Sequence, residues 1–268
     1  MNNVKKFFDF EYDNHALSDF GFMICKFGSD GMQTISNGSQ ITFNTISTLT
    51  GKKFELVSVQ YDSCLESTFQ ICKNPCSNDD LEITVEEVRK LSRWLNRKEF
   101  LKFKLLDDEY YDLYFEASFN ISRIELEGKI IGLELNMITN RPFALQEPKT
   151  IMIENTVTDG IKVINDNSDE EGYIYPHMEI VINKDGDLSI YNKIEDRTMI
   201  IKNCTVGEVI TLDYPIIKTS YDSHKIQNDF NWSFFRISNT FNNPRNEITI
   251  SIPCTIKLIY SPIVKISI

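Results

Sequence analysis

Between residues 84 and 145 the apolar positions follow a helical period first and a strand period afterwards. Thr84 and Glu87 have the spacing of a capping box, in which the Thr hydroxyl accepts from the amide three residues on and the Glu carboxylate accepts from the cap's own amide. A helix is predicted to start there. Val88, Leu91 and Leu95 recur at helical spacing with Trp94 beside them, while Glu86, Arg89, Lys90 and Arg93 lie mostly elsewhere. That single apolar stripe predicts a helix laid on a sheet inside the subunit, with Asn96 as a left-handed terminator. Leu101, Phe103 and Leu105 then alternate with Lys102 and Lys104, the period of a strand with one wet face. After a turn at Asp107, Asp108 and Glu109, Tyr111, Leu113, Phe115 and Ala117 alternate with Tyr110, Asp112, Tyr114 and Glu116. Gly128-Lys129 is predicted to turn the chain into another strand, IIGLELNM. A helix followed by an antiparallel meander predicts an α+β layer.

The flanks carry shorter runs. Before Gly28 and Gly31 an aromatic-rich segment, the S-D-F-G of residues 18–21 and the apolar run of residues 22–27 predict strand, turn, strand. From Ile35 to Phe69 the chain returns repeatedly to β-branched and aromatic runs, and Phe54, Leu56 and the residues up to Tyr61 predict half-buried strands. Residues 74–80, NPCSNDD, form a loop by composition. The register is lost between residues 140 and 167, where Pro142 and Pro148 interrupt it and IMIENTVTDGIKVIND holds at most short strands. Beyond residue 172, strand runs return at the spacing of a β-sandwich. The expected organisation is a mainly β protein: an α+β domain over residues 1–148, a linker over 149–171 and an all-β domain over 172–268, with its last strand packing back on the first domain.

Composition narrows the function. A length of 268 residues favours two domains. The net charge of -11 excludes a general nucleic-acid binder, which needs clustered Lys and Arg to neutralise phosphates. No apolar run follows the N-terminal lysines, so neither a signal peptide nor a membrane-inserted helix is expected. Six scattered cysteines without a secretory signal are expected as reduced thiols, several of them acting as small apolar residues in strands.

Candidate chemistry is sparse. Cys64, Cys72 and Cys76 lack the second close pair that a structural zinc site requires, and His15, His177 and His224 are too isolated to supply it. Asp107, Asp108 and Glu109 are explained by a solvated turn. Residues 183–187, NKDGD, resemble a calcium loop, but Ile194 stands where the closing Glu belongs, so a hairpin turn is expected. No nucleophile elbow or phosphate-binding loop occurs. Catalytic, cofactor-binding and metal-binding residues are therefore all unassigned. One cluster remains: Asp229, Phe230, Asn231 and Trp232, with Phe234 and Phe235 after it. Phe230, Asn231 and Trp232 suit stacking on a sugar or on a protein partner, and equally suit capping a sandwich core, which is the preferred role.

Several segments in order resemble one family. They are S-D-F-G near the start, the helix ending in R-W-L, FLKFKLLDDEYY, FNISRIELEGKIIGLEL before Pro142, GYIYPHMEI at 172–180, VGEVITLD at 206–213 and NDFNWSFFR at 228–236. Together they make the chain similar to the siphovirus distal tail proteins, also called Dit or phage tail components. The resemblance implies a homo-hexameric ring at the virion tail tip, assembled in the bacterial host cytoplasm. It also implies partners in the tail tube protein and a tail-associated fibre or lysin protein, linked to a baseplate. In fold terms it implies a ring-forming N-terminal domain followed by a galectin-like β-sandwich. The meander of residues 100–119 and the N-terminal strands are the expected ring contacts. The alternative function is a carbohydrate-binding module that recognises host cell-wall glycans through Trp232 and its neighbours.

Overall fold

The computed structural model describes residues 9–27, 40–48, 51, 53–78, 80–108, 110–240 and 243–266. Gly28, Gly31, Ile35 and Glu109, which figure in the expectations above, lie outside the described residues. The chain forms two compact units, one of residues 1–145 with 265–268 and one of residues 146–264.

In the first unit the strands are β1 (Phe10–Tyr12), β2 (His15–Ala16), β3 (Phe22–Cys25), β4 (Ile41–Ser47), β5 (Phe54–Tyr61) and β6 (Glu66–Lys73). Helix α1 (Val85–Leu95) follows, then β7 (Leu101–Leu105), β8 (Leu113–Leu126), β9 (Lys129–Thr139) and β10 (Ala144–Gln146). The main sheet runs β2-β1-β7-β8-β9-β6-β3, with β4 and β5 forming a separate two-stranded hairpin. The capping box is made: Glu87 N–H donates to Thr84 Oγ1 at 3.2 Å and Thr84 N–H donates to Glu87 Oε2 at 2.7 Å. Lys73 ties the helix start to β6, its ammonium 3.0 Å from Glu87 and donating to the Glu82 carbonyl at 2.7 Å.

Val88, Leu91, Trp94 and Leu95 are buried, as are Phe103, Phe115 and Phe119 on the strands. Trp94 stacks on Phe10 and Phe20, and its indole N–H donates to the Tyr12 carbonyl at 2.9 Å. Burial pushes the Tyr12 phenol up to about 12, and its hydroxyl donates to the Ala117 carbonyl. Two local expectations are corrected. Asn96 ends the helix at φ -84 rather than in the left-handed region, because its side-chain amide donates to the Phe119 carbonyl at 2.8 Å and fixes the exit of the chain. The turn between β8 and β9 falls on Glu127 and Gly128, both at positive φ, one residue earlier than expected.

The second unit contains β11 (Lys149–Asn155), β12 (Gly160–Asn165), β13 (Gly172–Ile174), β14 (His177–Ile182), β15 (Gly186–Asn192), β16 (Arg197–Cys204), β17 (Val209–Asp213) and β18 (Ile216–Thr219). The short helix α2 (Ile226–Asp229), β19 (Ile237–Asn239), β20 (Arg245–Ile250), β21 (Cys254–Tyr260) and β22 (Ile263–Val264) complete it. Two antiparallel sheets, β11-β21-β14-β17-β18 and β12-β20-β15-β16, share one core. Met178, Ile180, Ile210, Leu212, Ile256 and Leu258 from the first meet Leu188, Ile190, Met199, Ile201, Ile248 and Ile250 from the second. This is a two-layer sandwich built from alternating inward residues.

Residues 149–165, expected within a linker, supply β11 and β12, each paired along its whole length with β21 or β20. Ile151 and Ile153 of β11 and Ile164 of β12 join that core, which is the physical reason these strands belong to the sandwich. Cys204 and Cys254 are buried in it, and burial pushes both thiols up to about 12, so neither supplies a thiolate near neutral pH.

Candidate functional site

The predicted trio divides on folding. Phe230 is buried in the sandwich core against Phe234, their rings 4.9 Å apart and nearly perpendicular. Asn231 is a latch: its side-chain carbonyl accepts from the Ile200 and Ser233 amides, both at 3.1 Å, and its amide donates to the Thr198 carbonyl at 3.0 Å. Its own backbone N–H donates to the Ile200 carbonyl. Those bonds pin the loop to β16 and commit the Asn side chain to its own fold. Asn231 is exposed but committed to those bonds, and Trp232, 56% exposed, faces outward.

Trp232 is held at φ +57. Six of the seven described non-glycine residues at positive φ are Asp, Asn or Glu, which tolerate that region; Trp232 is the seventh. A bulky residue there costs about 1–3 kcal/mol, which the Asn231 bonds on either side offset.

Sequence reasoning did not find the neighbours of Trp232. The Trp232 ring lies 6.4 Å from Phe234, Phe234 lies edge-on to Tyr214 at 5.3 Å, and Tyr214 stacks on Tyr175 at 4.0 Å with 7° between the planes. Tyr173 follows, 5.5 Å from Tyr175, with the Arg236 guanidinium 3.8 Å over its ring. Glu195 accepts from Arg236 Nε at 2.7 and 2.9 Å, and this charge-assisted pair holds the Arg236 guanidinium above its ordinary range. Trp232, Tyr214 and Tyr173 are each more than half exposed. The Tyr173-Ile174-Tyr175 alternation was the one available signal, since residues two apart share a strand face.

A buried polar cluster holds α2. Glu208 is 0% exposed, His224 Nδ1 lies 2.5 Å from it, and His224 Nε2 lies 3.4 Å from Asp229. Burial raises the Glu208 carboxyl, but hydrogen bonds from Thr219, the Thr205 amide and His224, with the His224 charge, outweigh that and leave it below the usual carboxylate range. With the Glu208 and His224 side chains at 0% and 5% exposure, the cluster ties α2 to the sandwich and is not an open acid-base site.

A second surface stands in the first unit. In the β4–β5 ladder Ile41 faces Tyr61, Phe43 faces Val59, Thr45 faces Leu56 and Ser47 faces Phe54. The other face carries Thr42, Asn44, Ser58, Gln60, Glu55 and Ile46. The hairpin is therefore amphipathic, and its apolar face is open: Phe43 is 63% exposed and Phe54 66%. The expectation that these strands are half-buried is corrected here: Phe54 and Leu56 are 66% and 56% exposed, so no described residue covers the face that their pattern would bury. One residue, Val57, falls at a register shift and lies outside the ladder as a bulge.

Among the described residues no group of three or more His, Cys, Asp and Glu is placed to hold a metal ion. No helix among them is long and apolar enough to cross a membrane. Within the expected ring contact at residues 100–119, β7 is paired by β1 on one side and by β8 on the other.

Comparison with known proteins follows the same two-part layout. Residues 5–141 match the model of a phage tail protein N-terminal domain, and residues 143–260 match that of a phage tail C-terminal domain. No curated protein matches. Among solved structures the chain is similar to the Dit protein (gp 19.1) of phage SPP1, described as a paradigm of the hub adsorption apparatus in phages infecting Gram-positive bacteria. The TM-score is 0.66 at 11% identity, over 96% of this chain and 99% of that one. That likeness carries the fold, and the two domain matches carry the family: the chain belongs to a family of phage tail proteins and is built as a distal tail protein is built.

Proposed function

We propose that this protein is the subunit of a homo-hexameric hub at the tail tip, a structural part that joins the tail tube to a tail-associated protein. The observation that carries the reading is the open apolar face of the β4–β5 hairpin. An isolated two-stranded hairpin is marginal in water, and one that exposes Phe43, Leu56, Val59 and Phe54 on a single face gains stability when another surface covers that face. A closed ring supplies such a cover by a heterologous contact, in which the hairpin of each subunit lies on a different face of the next. The family match to tail proteins supports a role in assembly over one in catalysis.

The purified protein, measured by light scattering after size exclusion and imaged by negative stain, is expected as rings of six times the 31.1 kDa chain mass. The double substitution Phe43→Asp with Phe54→Asp is expected to yield folded monomers. Wild-type protein that stays monomeric at all concentrations, alone and with tail tube protein, overturns the ring. Rings that survive the double substitution overturn the hairpin's part in it.

A further inference from the structure

We infer that Trp232, Tyr214 and Tyr173 form a stacking platform for the pyranose rings of an extended, uncharged polysaccharide. The inference is independent of ring assembly, because all three residues lie in the second unit and the hairpin lies in the first.

Three features point to a sugar. The rings are fixed before any ligand arrives: Tyr214 lies flat on Tyr175, Tyr173 is clamped by the Arg236–Glu195 pair, and Trp232 is set by the Asn231 latch. Binding on such rings sacrifices little side-chain freedom. Trp232 is also held outward in a backbone conformation that a large side chain avoids, although a turn of the usual Asp or Asn type would leave the core beneath it intact. Finally, the three exposed rings are spaced by rings that sit lower, Phe234 and Tyr175, rather than merged into one apolar patch. A protein partner's anchors concentrate in a fully desolvated centre. Successive sugar rings instead present separate flat C–H faces, each about the size of one aromatic ring, with hydroxyls between them for groups such as Arg236 and Glu195.

Charge selects within that class. The chain carries -11 overall, Arg236 already faces Glu195, and Arg197 donates to the Phe234 carbonyl at 3.3 Å, so a polyanion approaches a surface whose net field repels it.

The test uses the full-length protein on an array of neutral glucan, galactan and N-acetylhexosamine oligosaccharides, with affinities of any ligand found measured by calorimetry. A ligand of at least two sugar rings is expected. Trp232→Ala and Tyr214→Ala are each expected to weaken it about tenfold, the scale of one aromatic contact, and Trp232→Phe to retain most of the affinity. Thermal melts and ring images of the same variants, unchanged from wild type, separate loss of the platform from loss of fold or of assembly. An array on which the wild type binds no neutral glycan overturns the proposal. So does a ligand whose affinity is indifferent to both Ala substitutions, or a Trp232→Ala protein that loses a tail partner while its glycan affinity is unchanged.

Discussion

The surroundings of the two tryptophans use aromatic side chains in opposite ways. In the first, Phe10, Tyr12 and Phe20 pack against Trp94, which is 6% exposed and donates its indole N–H to the Tyr12 carbonyl. In the second, Trp232, Tyr214 and Tyr173 ride on buried or half-buried rings and keep their outer surfaces in solvent. The residue types are alike; the backbone decides the outcome. Trp94 lies in the last turn of α1, on its buried face, where the Cβ direction carries it onto the sheet. Trp232 lies in a loop latched from both sides by Asn231, where φ +57 turns it outward. Aromatic area around Trp94 is used up by folding, whereas around Trp232 part of it is available to something else.

That contrast is open to measurement. Trp94→Ala is expected to cost about 3–5 kcal/mol in urea unfolding, because it empties the centre of a packed ring cluster and orphans the Tyr12 carbonyl. Glu208→Gln is expected to cost about 3 kcal/mol, since it leaves His224 and Thr219 facing a neutral amide in the sandwich. Its pH dependence has a definite sign. A carboxylate depressed in the folded state contributes stability in full above its unfolded pKa of about 4.3, and loses it as pH falls through the folded value. Unfolding measured from pH 7 down to pH 3 should therefore show the gap between wild type and Glu208→Gln narrowing in acid.

Thr84→Ala removes one side of the capping box and is expected to cost about 1 kcal/mol, read as a shift in the unfolding midpoint. The smallest effect expected is that of Trp232→Ala, within about 0.5 kcal/mol of wild type by the same measurement. If Trp232→Ala instead costs as much as Trp94→Ala, the exposed ring is a core cap and the contrast between the two tryptophans collapses.

What the sequence made legible was period. The Val88-Leu91-Leu95 stripe, the Leu101-Phe103-Leu105 alternation and the sandwich runs all appear as the elements that their spacing predicts. Period says which residues share a face, and it does not say what covers that face. Phe54 and Leu56 were thus assigned to the right kind of element and the wrong environment. Trp232 was singled out by composition, while its companions Tyr173 and Tyr214 stand 59 and 18 residues away in the chain and meet it only through the sandwich topology. For Asn231 the sequence left ligand contact open beside the preferred structural role, because nothing local reveals that Thr198 and Ile200 occupy both of its ends.

The bulge at Val57 separates two things that the rest of the hairpin combines. With Val57 out of the ladder, Phe54, Leu56, Val59 and Tyr61 come to one side; without it, the remaining F-E-L-S-V-Q-Y would alternate unaided and put the same four on one side again. The extra residue therefore adds nothing to the chemistry of the face. What it adds is bend and right-handed twist at mid-strand. In the proposed ring a hairpin that follows a circumference needs curvature, and in this chain that curvature is written as a single surplus valine.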